Sequence, residues 1–378
     1  MNNKNRQKPK LISCHNPLPD RVGKVGGEAV LEGVMMRGSD RYSVAVRRED
    51  GSMSVTTKEW QSVRKRHKIL NIPIIRGVVG MIESMILSFK VLNISAEAFG
   101  EGIDSEPSKF EKWLDRKFGK SIMDFVMVVA TILGVALAVG LFVFLPSLIT
   151  KLINDATGDK LGWTRNLIEG VIKILIFVGY LKAVSLMKDI RRTFEYHGAE
   201  HKSIFCYEAG EELTPENAAK YKRFHPRCGT SFLFIVMIIS ILIFSLPFVP
   251  WDNIWLRVLV KIPLIPVVMG VGFEFIMLTG KHNNALTRAL SAPGRWMQHI
   301  TTREPDLEQL EIAITALKNA LPEEFPEAAA EAAAREAEYQ AKIAAENGEA
   351  AENGETASDS LTPDADDGSE EKTDADKT

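Results

Sequence analysis

Cysteine is scarce in this 378-residue chain, with only Cys14, Cys206 and Cys228. Three scattered thiols cannot build a disulfide framework, and they suit a reducing compartment. No secretory leader opens the sequence: residues 1–10 are mostly Asn, Lys, Arg and Gln, with no long apolar run behind them. The glycine-rich stretch from Val22 to Gly38 lacks the Gly-Lys-Ser/Thr ending of a phosphate loop. No nucleic-acid code stands out either, so a nucleic-acid partner is not expected. The net charge of -3 and mean hydropathy of -0.03 exclude little, because both average very apolar spans with a polar N-terminus and an acidic tail.

Those apolar spans set the fold class. Residues 125–150 hold no charge and exceed the roughly 20 residues needed to cross a bilayer. Residues 230–249 are again free of charge. Residues 254–280 carry Arg257 and Lys261 near one interface and Glu274 further in. Residues 167–187 are the weakest span, with Glu169 and Lys173 as a self-neutralising i,i+4 pair and Lys182 placed to snorkel. Lys and Arg concentrate before the first span, between the second and third, and after the fourth. That places both termini in the cytoplasm of a cell-membrane protein. Within the 69–98 segment, Leu70–Ile94 is apolar but interrupted by Arg76, Glu83 and Lys90, spaced seven apart on one helical stripe. Each charge near a helix centre costs roughly 2.5–3.5 kcal/mol on insertion. An amphipathic or re-entrant helix, or one packed along a polar seam, fits better than a simple span.

The remaining segments read as polar appendages. Residues 1–21 form a flexible basic arm. Within 22–68 the glycines suggest turns and close backbone approaches; Glu28, Glu32 and Arg37 are its polar members and could line a site, with surface solvation as the default. Tyr42–Arg48 and Ser52–Lys58 alternate about Asp50-Gly51, which is a small cytoplasmic β-hairpin signal. Arg64-Lys-Arg-His-Lys68 is a juxtamembrane basic cluster suited to anionic lipid. Residues 188–229 form a cytoplasmic loop. Residues 281–321 are a linker, turning at Pro293-Gly294, followed by a helix from about Thr302 to Leu321. Residues 322–378 are an acidic, largely disordered tail, with a solvated Ala/Glu-rich helix in its first part. The fold class is mainly α: a polytopic helical membrane protein of about four spans plus the 69–98 helix.

The chemistry concentrates in the 188–229 loop. His197 and His201 stand at i and i+4, on one face of a helix and close enough to share an ion. Glu200 lies between them, giving H-x-x-E-H, the reversed zinc-hydrolase motif in which the Glu acts as general base. His225-Pro-Arg-Cys228-Gly229 has the spacing of a zinc knuckle with His for the first Cys. All four as ligands would close a structural His3Cys site, whereas three would leave a position for water beside Glu200. Glu274, inside a span, is a further candidate ligand, since intramembrane ionisable residues are functional candidates. Cys206 faces away and is expected to pack. The cofactor expected is a divalent metal, zinc by ligand type.

Gly26-Gly-Glu-Ala-Val-Leu-Glu-Gly-Val-Met-Met-Arg-Gly38, Glu195-Tyr-His-Gly-Ala-Glu-His-Lys202, Phe224-His-Pro-Arg-Cys-Gly-Thr-Ser-Phe232 and Pro293-Gly-Arg-Trp-Met-Gln298 with Thr301-Thr-Arg-Glu-Pro305 together resemble the YqhQ family. These are bacterial multi-pass membrane proteins described only as predicted metal-dependent enzymes. The resemblance covers roughly residues 22–320. It implies a membrane location and a metal at His197, Glu200, His201, His225 and Cys228, and it names no substrate. Two functions remain open. One is a metal-dependent hydrolase of a peptide, lipid or lipid-linked headgroup. The other is a non-enzymatic scaffold in which a structural metal staples the loop for a membrane-protein complex, with lipids as the other partner.

Overall fold

The computed structural model describes residues 17–100, 121–158, 161–246, 254–281 and 285–358. It begins with four strands, β1 (Gly26–Val30), β2 (Gly33–Arg37), β3 (Arg41–Arg47) and β4 (Met53–Glu59). The helices follow in chain order as α1 (Ile75–Gly100), α2 (Ser121–Val139) and α3 (Leu145–Ala156), then α4 (Arg165–Val184) and α5 (Lys188–Ala209). After these come α6 (Gly229–Phe244), α7 (Ile254–Lys281), α8 (Ala285–Thr301), α9 (Leu307–Ala320) and α10 (Ala328–Ser358). A π-helical turn, Gly140–Phe144, joins α2 to α3.

The strands form an antiparallel meander in the order β1-β2-β3-β4, so the expected hairpin is the second half of a larger sheet. At the predicted turn Gly51 takes φ +86, and Asp50 accepts from the Ser52 amide at 2.9 Å. The first hairpin was not expected, because its glycines read as turns. They serve close approach inside strands instead. A Cβ at Gly33 would stand 2.3 Å from the Ala45 carbonyl oxygen across the β2–β3 ladder. Alternation then divides the sheet between two cores. Val34, Met36 and Ala45 face α5 and α9, joining Tyr196, Ala199, Leu310 and Leu317. Val30, Met35, Tyr42, Val44 and Val46 face α1, joining Leu87, Val91 and Ala98. A sheet buried on both faces needs near-continuous apolar strands, as Gly-Val-Met-Met in β2 provides.

Three helical stretches are long and apolar enough to cross a membrane: Ile75–Gly100, Thr131–Ala156 and Leu259–Leu278. A fourth results if α4 and α5, bent by 100° where they meet, count as one. The expected 125–150 and 254–280 spans correspond to two of these. The expected 230–249 span begins as α6, and residues 247–253 lie outside the described residues. Gly170 lets α4 approach α6, where a Cβ would come within 2.4 Å of Ile241. The buried Glu169 accepts from Ser147 of α3 at 3.2 Å.

Two further expectations change. The Pro293-Gly294 turn is absent, and α8 runs through both residues. Gly294 is needed there because a Cβ would stand 2.8 Å from Ser231 Cβ at the start of α6. The helix expected in the first part of the 322–378 tail is α10, and it runs further than expected, to Ser358. Its Tyr339 lies under the Arg48 guanidinium, 3.6 Å from the ring centroid. Of the basic arm, residues 17–21 dock on α5: the Leu18 amide donates to the Glu208 carbonyl at 2.7 Å. Residues 1–16, Ser105–Lys120 and 359–378 lie outside the described residues.

Candidate metal centre

Helix α5 carries His, Glu, Lys and Arg along its length, yet every residue from Tyr196 to Glu208 is buried. It ends at Gly210, left-handed at φ +75, a regular glycine role at a helix C-terminus. Its predicted motif face turns inward under β1. Gly27 makes this possible: a Cβ there would stand 2.6 Å from Glu200 Cγ and 2.9 Å from its Oε1. Glycine 27 therefore reads as the close-approach residue that admits the Glu200 side chain.

The two histidines are held in one tautomer. His197 Nδ1 lies 2.8 Å from the Thr301 carbonyl oxygen, and His201 Nδ1 bonds the Arg223 carbonyl oxygen. A carbonyl only accepts, so both Nδ1 atoms carry a proton and both Nε2 atoms face inward, where a bound ion would take the place of any proton on them. Each Nε2 lies 3.8 Å from Glu200 Oε2. Cys228, just before α6, brings its Sγ to 3.1 Å from His197 Nε2. His197, His201 and Cys228 offer ligand atoms that all lie within 4.8 Å of one another. His201 Nε2 is buried with no hydrogen-bond partner. An orphaned lone pair of this kind costs free energy unless something binds it.

The electrostatics agree. Burial alone would keep the Cys228 thiol protonated, but His197 and His201 outweigh it and hold the thiol well below its ordinary value. The N-terminus of α6 favours the same thiolate. Burial alone would lower His197, but the Cys228 and Glu200 charges raise it to about 9. Burial pushes the Glu200 carboxyl up against the pull of the two histidines. Two imidazoles and a thiolate are a zinc-type donor set, three ligands leaving one tetrahedral position open.

The other candidates stand elsewhere. His225 is not brought into the cluster. Its Nε2 lies 3.9 Å from Glu208 Oε2, its Nδ1 accepts from the Arg227 amide at 3.3 Å, and burial pushes it down to about 4. It packs behind His201 with ring centroids 5.4 Å apart. Glu274 makes a two-point ion pair with Arg76. Cys206 is buried in the core, as expected. Glu32 binds Arg192 and Tyr196.

Glu28 was a candidate site-lining residue in the sequence, whereas Glu208 and Gln298 were not read from it. Glu28 accepts from Ser88 at 2.6 Å and lies near enough to His197 to act on it electrostatically. Glu208 is buried against Arg227 and His225. Gln298 clamps the 225 segment, accepting from the His225 amide and donating to its carbonyl, both at 2.8 Å. A signal for Glu208 did exist: at i+7 from His201 it shares the inward face.

A family model described as a protein of unknown function (DUF1385) matches residues 72–323. The chain belongs to this family. It is 35% identical over 297 residues to the "Uncharacterized protein YqhQ" of Bacillus subtilis (strain 168), covering 78% of this chain and 92% of that relative. No solved structure matches. The DUF1385 match contains His197, Glu200, His201 and Cys228 but begins after the sheet, so Gly27 and Glu28 reach the site from outside it.

Proposed function

We propose that this chain is a membrane-bound, metal-dependent hydrolase working at the cytoplasmic membrane face, with both termini on that side. His197, His201 and Cys228 hold a divalent ion, zinc by donor type, and Glu200 is the general base. The observation that carries the reading is the buried, unbonded His201 Nε2, facing the same Glu200 oxygen as His197 Nε2. When bound, the ion would supply a Lewis acid and an acidified water. Glu200 takes the proton at Oε2, which faces both imidazole Nε2 atoms at 3.8 Å. The carbonyls of Thr301 and Arg223 keep both imidazoles oriented.

The scaffold reading has its own support. All four groups are buried, and the cluster ties α5 to the segment before α6. A structural ion would staple those pieces.

Elemental analysis and X-ray absorption on detergent-purified protein, wild type and His201→Ala, separate the two. The enzyme reading expects a two-nitrogen, one-sulfur shell completed by a light oxygen donor and lost in the variant. A closed four-protein-ligand shell favours the staple. Absence of a metal would overturn both. The substrate test is Glu200→Gln, which should keep the ion and abolish function in cells.

A further inference from the structure

Helix α1 is long and apolar enough to span a bilayer, but its surroundings are inconsistent with that path. Its buried positions Gly77, Gly80, Glu83, Leu87, Val91, Ser95 and Ala98 form one stripe. Ile75, Ile82, Met85, Ile86, Phe89 and Leu92 are exposed and, at about 100° per residue, fall on the opposite face. What covers the buried stripe decides the orientation. Leu87, Val91 and Ala98 pack on the sheet. That sheet carries α9 on its other face, with Glu308, Glu311 and Lys318, and ends in the Arg48-Glu49-Asp50 turn. Such a body cannot lie in hydrocarbon.

The middle of α1 is equally tied to polar chain. Glu83 accepts from Ser62 Oγ at 2.7 Å and the Val63 amide at 2.6 Å, and pairs with Arg64 at 3.4 Å. Lys90 lies over the Trp60 ring at 5.6 Å. The chain before α1 therefore doubles back along it, from Trp60 beside Lys90 to Arg64 beside Arg76, Gly80 and Glu83 in its first third. In a spanning helix the Arg64 guanidinium and the whole Trp60–Arg64 segment would have to lie within the bilayer. The first turn of α1, by contrast, packs on α7, where a Cβ at Gly77 would meet Phe273 Cβ at 2.7 Å, inside the apolar stretch Leu259–Leu278.

We propose that α1 lies in the plane of the membrane with its Ile75–Leu92 face in the lipid interface, holding the sheet and everything packed on it flat against anionic headgroups. The exposed apolar face then has lipid acyl chains as its solvent, and the basic run has phosphate. The face ends where Asn93 and Glu97 replace apolar residues, both exposed. Ser88, on the sheet side, reaches Glu28, so the anchored helix also touches the strand that covers Glu200.

The test uses full-length protein in a Cys14→Ser background, with Ile69→Cys and Glu97→Cys made singly and the cysteine-free-surface parent as control. Both ends should react with a membrane-impermeant maleimide from the same face of inside-out or right-side-out vesicles. Reaction from opposite faces would show a spanning helix and overturn the proposal. A bimane on Phe89→Cys, in phosphatidylcholine–phosphatidylglycerol vesicles, should be quenched more by lipid brominated near the glycerol end than by lipid brominated near the chain terminus. Quenching in the reverse order, or none because a protein covers the face, would also overturn it.

Discussion

Helices α2 and α5 invert the ordinary relation between polarity and burial. In α2, Ile132, Leu133 and Leu137 are 60%, 64% and 71% exposed. In α5, Glu200, His201, Lys202 and Glu208 are 5%, 1%, 3% and 2% exposed. The difference fits a membrane protein in which α2, part of a stretch long and apolar enough to cross a bilayer, has hydrocarbon as its solvent. Apolar side chains facing hydrocarbon lose nothing by exposure, so α2 needs few protein neighbours. α5 has no such solvent, and each buried polar atom must find a partner. Lys202 finds Glu304 at 2.7 Å and the Ala219 carbonyl at 3.0 Å, and Tyr207 donates to Glu324 at 2.7 Å. The buried α5 atoms left without one are His201 Nε2 and Ser203 Oγ. In a helix so fully satisfied, an unbonded imidazole nitrogen facing a thiolate points to a ligand.

Substituting one glycine in each region tests this contrast with the largest expected effect. A Cβ at Gly198 would stand 1.9 Å from the Arg303 carbonyl oxygen, whereas one at Gly134 would meet nothing within 4 Å. Gly198→Ala should cost roughly 3 kcal/mol, the upper end of overpacking penalties. Gly134→Ala should be neutral to within about 1 kcal/mol. Thermal unfolding in one detergent measures both; equal shifts would mean that the two regions pack alike. Next in size is metal removal. With free ion at 100 times its dissociation constant, chelation should remove about 2.7 kcal/mol of stability. Cys228→Ser should show a smaller response to chelator than wild type. An unchanged melting temperature in wild type after chelation would count against a resident ion.

The 125–150 and 254–280 stretches were legible because long, mostly uncharged runs have few alternative fates, whereas 167–187 qualifies only together with α5 and 230–249 is described only as the shorter apolar α6. The His197, Glu200 and His201 face was legible because helical spacing is rigid. Cys228 was legible as a donor, but its separation from His225 was not. The Pro226 turn between them sends one side chain to the cluster and the other to Glu208, and that direction is set by Gln298, far along the chain. The β1–β2 hairpin was hidden because Gly27 and Gly33 look like turn residues in sequence, while their use depends on Glu200 and Ala45. Charges at Arg76 and Glu83 argued against a simple α1 span. The structure gives each a partner, Glu274 and Arg64 respectively.

The Arg76–Glu274 pair joins α1 to α7, with each side chain under a third exposed. Glu274→Gln should lower the unfolding temperature and leave metal content unchanged. Loss of the ion in that variant would restore Glu274 as a ligand.

The smallest effect expected lies at the rim of the α5 body. Burial would raise Glu304, but Lys202 and Arg223 outweigh it and hold the carboxyl below its usual range. A depressed folded value means the carboxylate stabilises the fold above the unfolded glutamate value of about 4.3, and that this contribution is lost as pH falls through the folded one. Glu304→Gln should therefore unfold more easily than wild type at pH 7, and the two should converge in acid. Because the Glu304 side chain is 48% exposed while that of Lys202 is 4% exposed, salt should shrink the gap at pH 7 only in part. A gap that vanished in salt would mean Lys202 is as well solvated as a surface lysine, and the buried character assigned to α5 would fail at that residue. A gap that persisted into acid would mean that the Glu304 charge contributes nothing and that the carboxylate acts through packing alone.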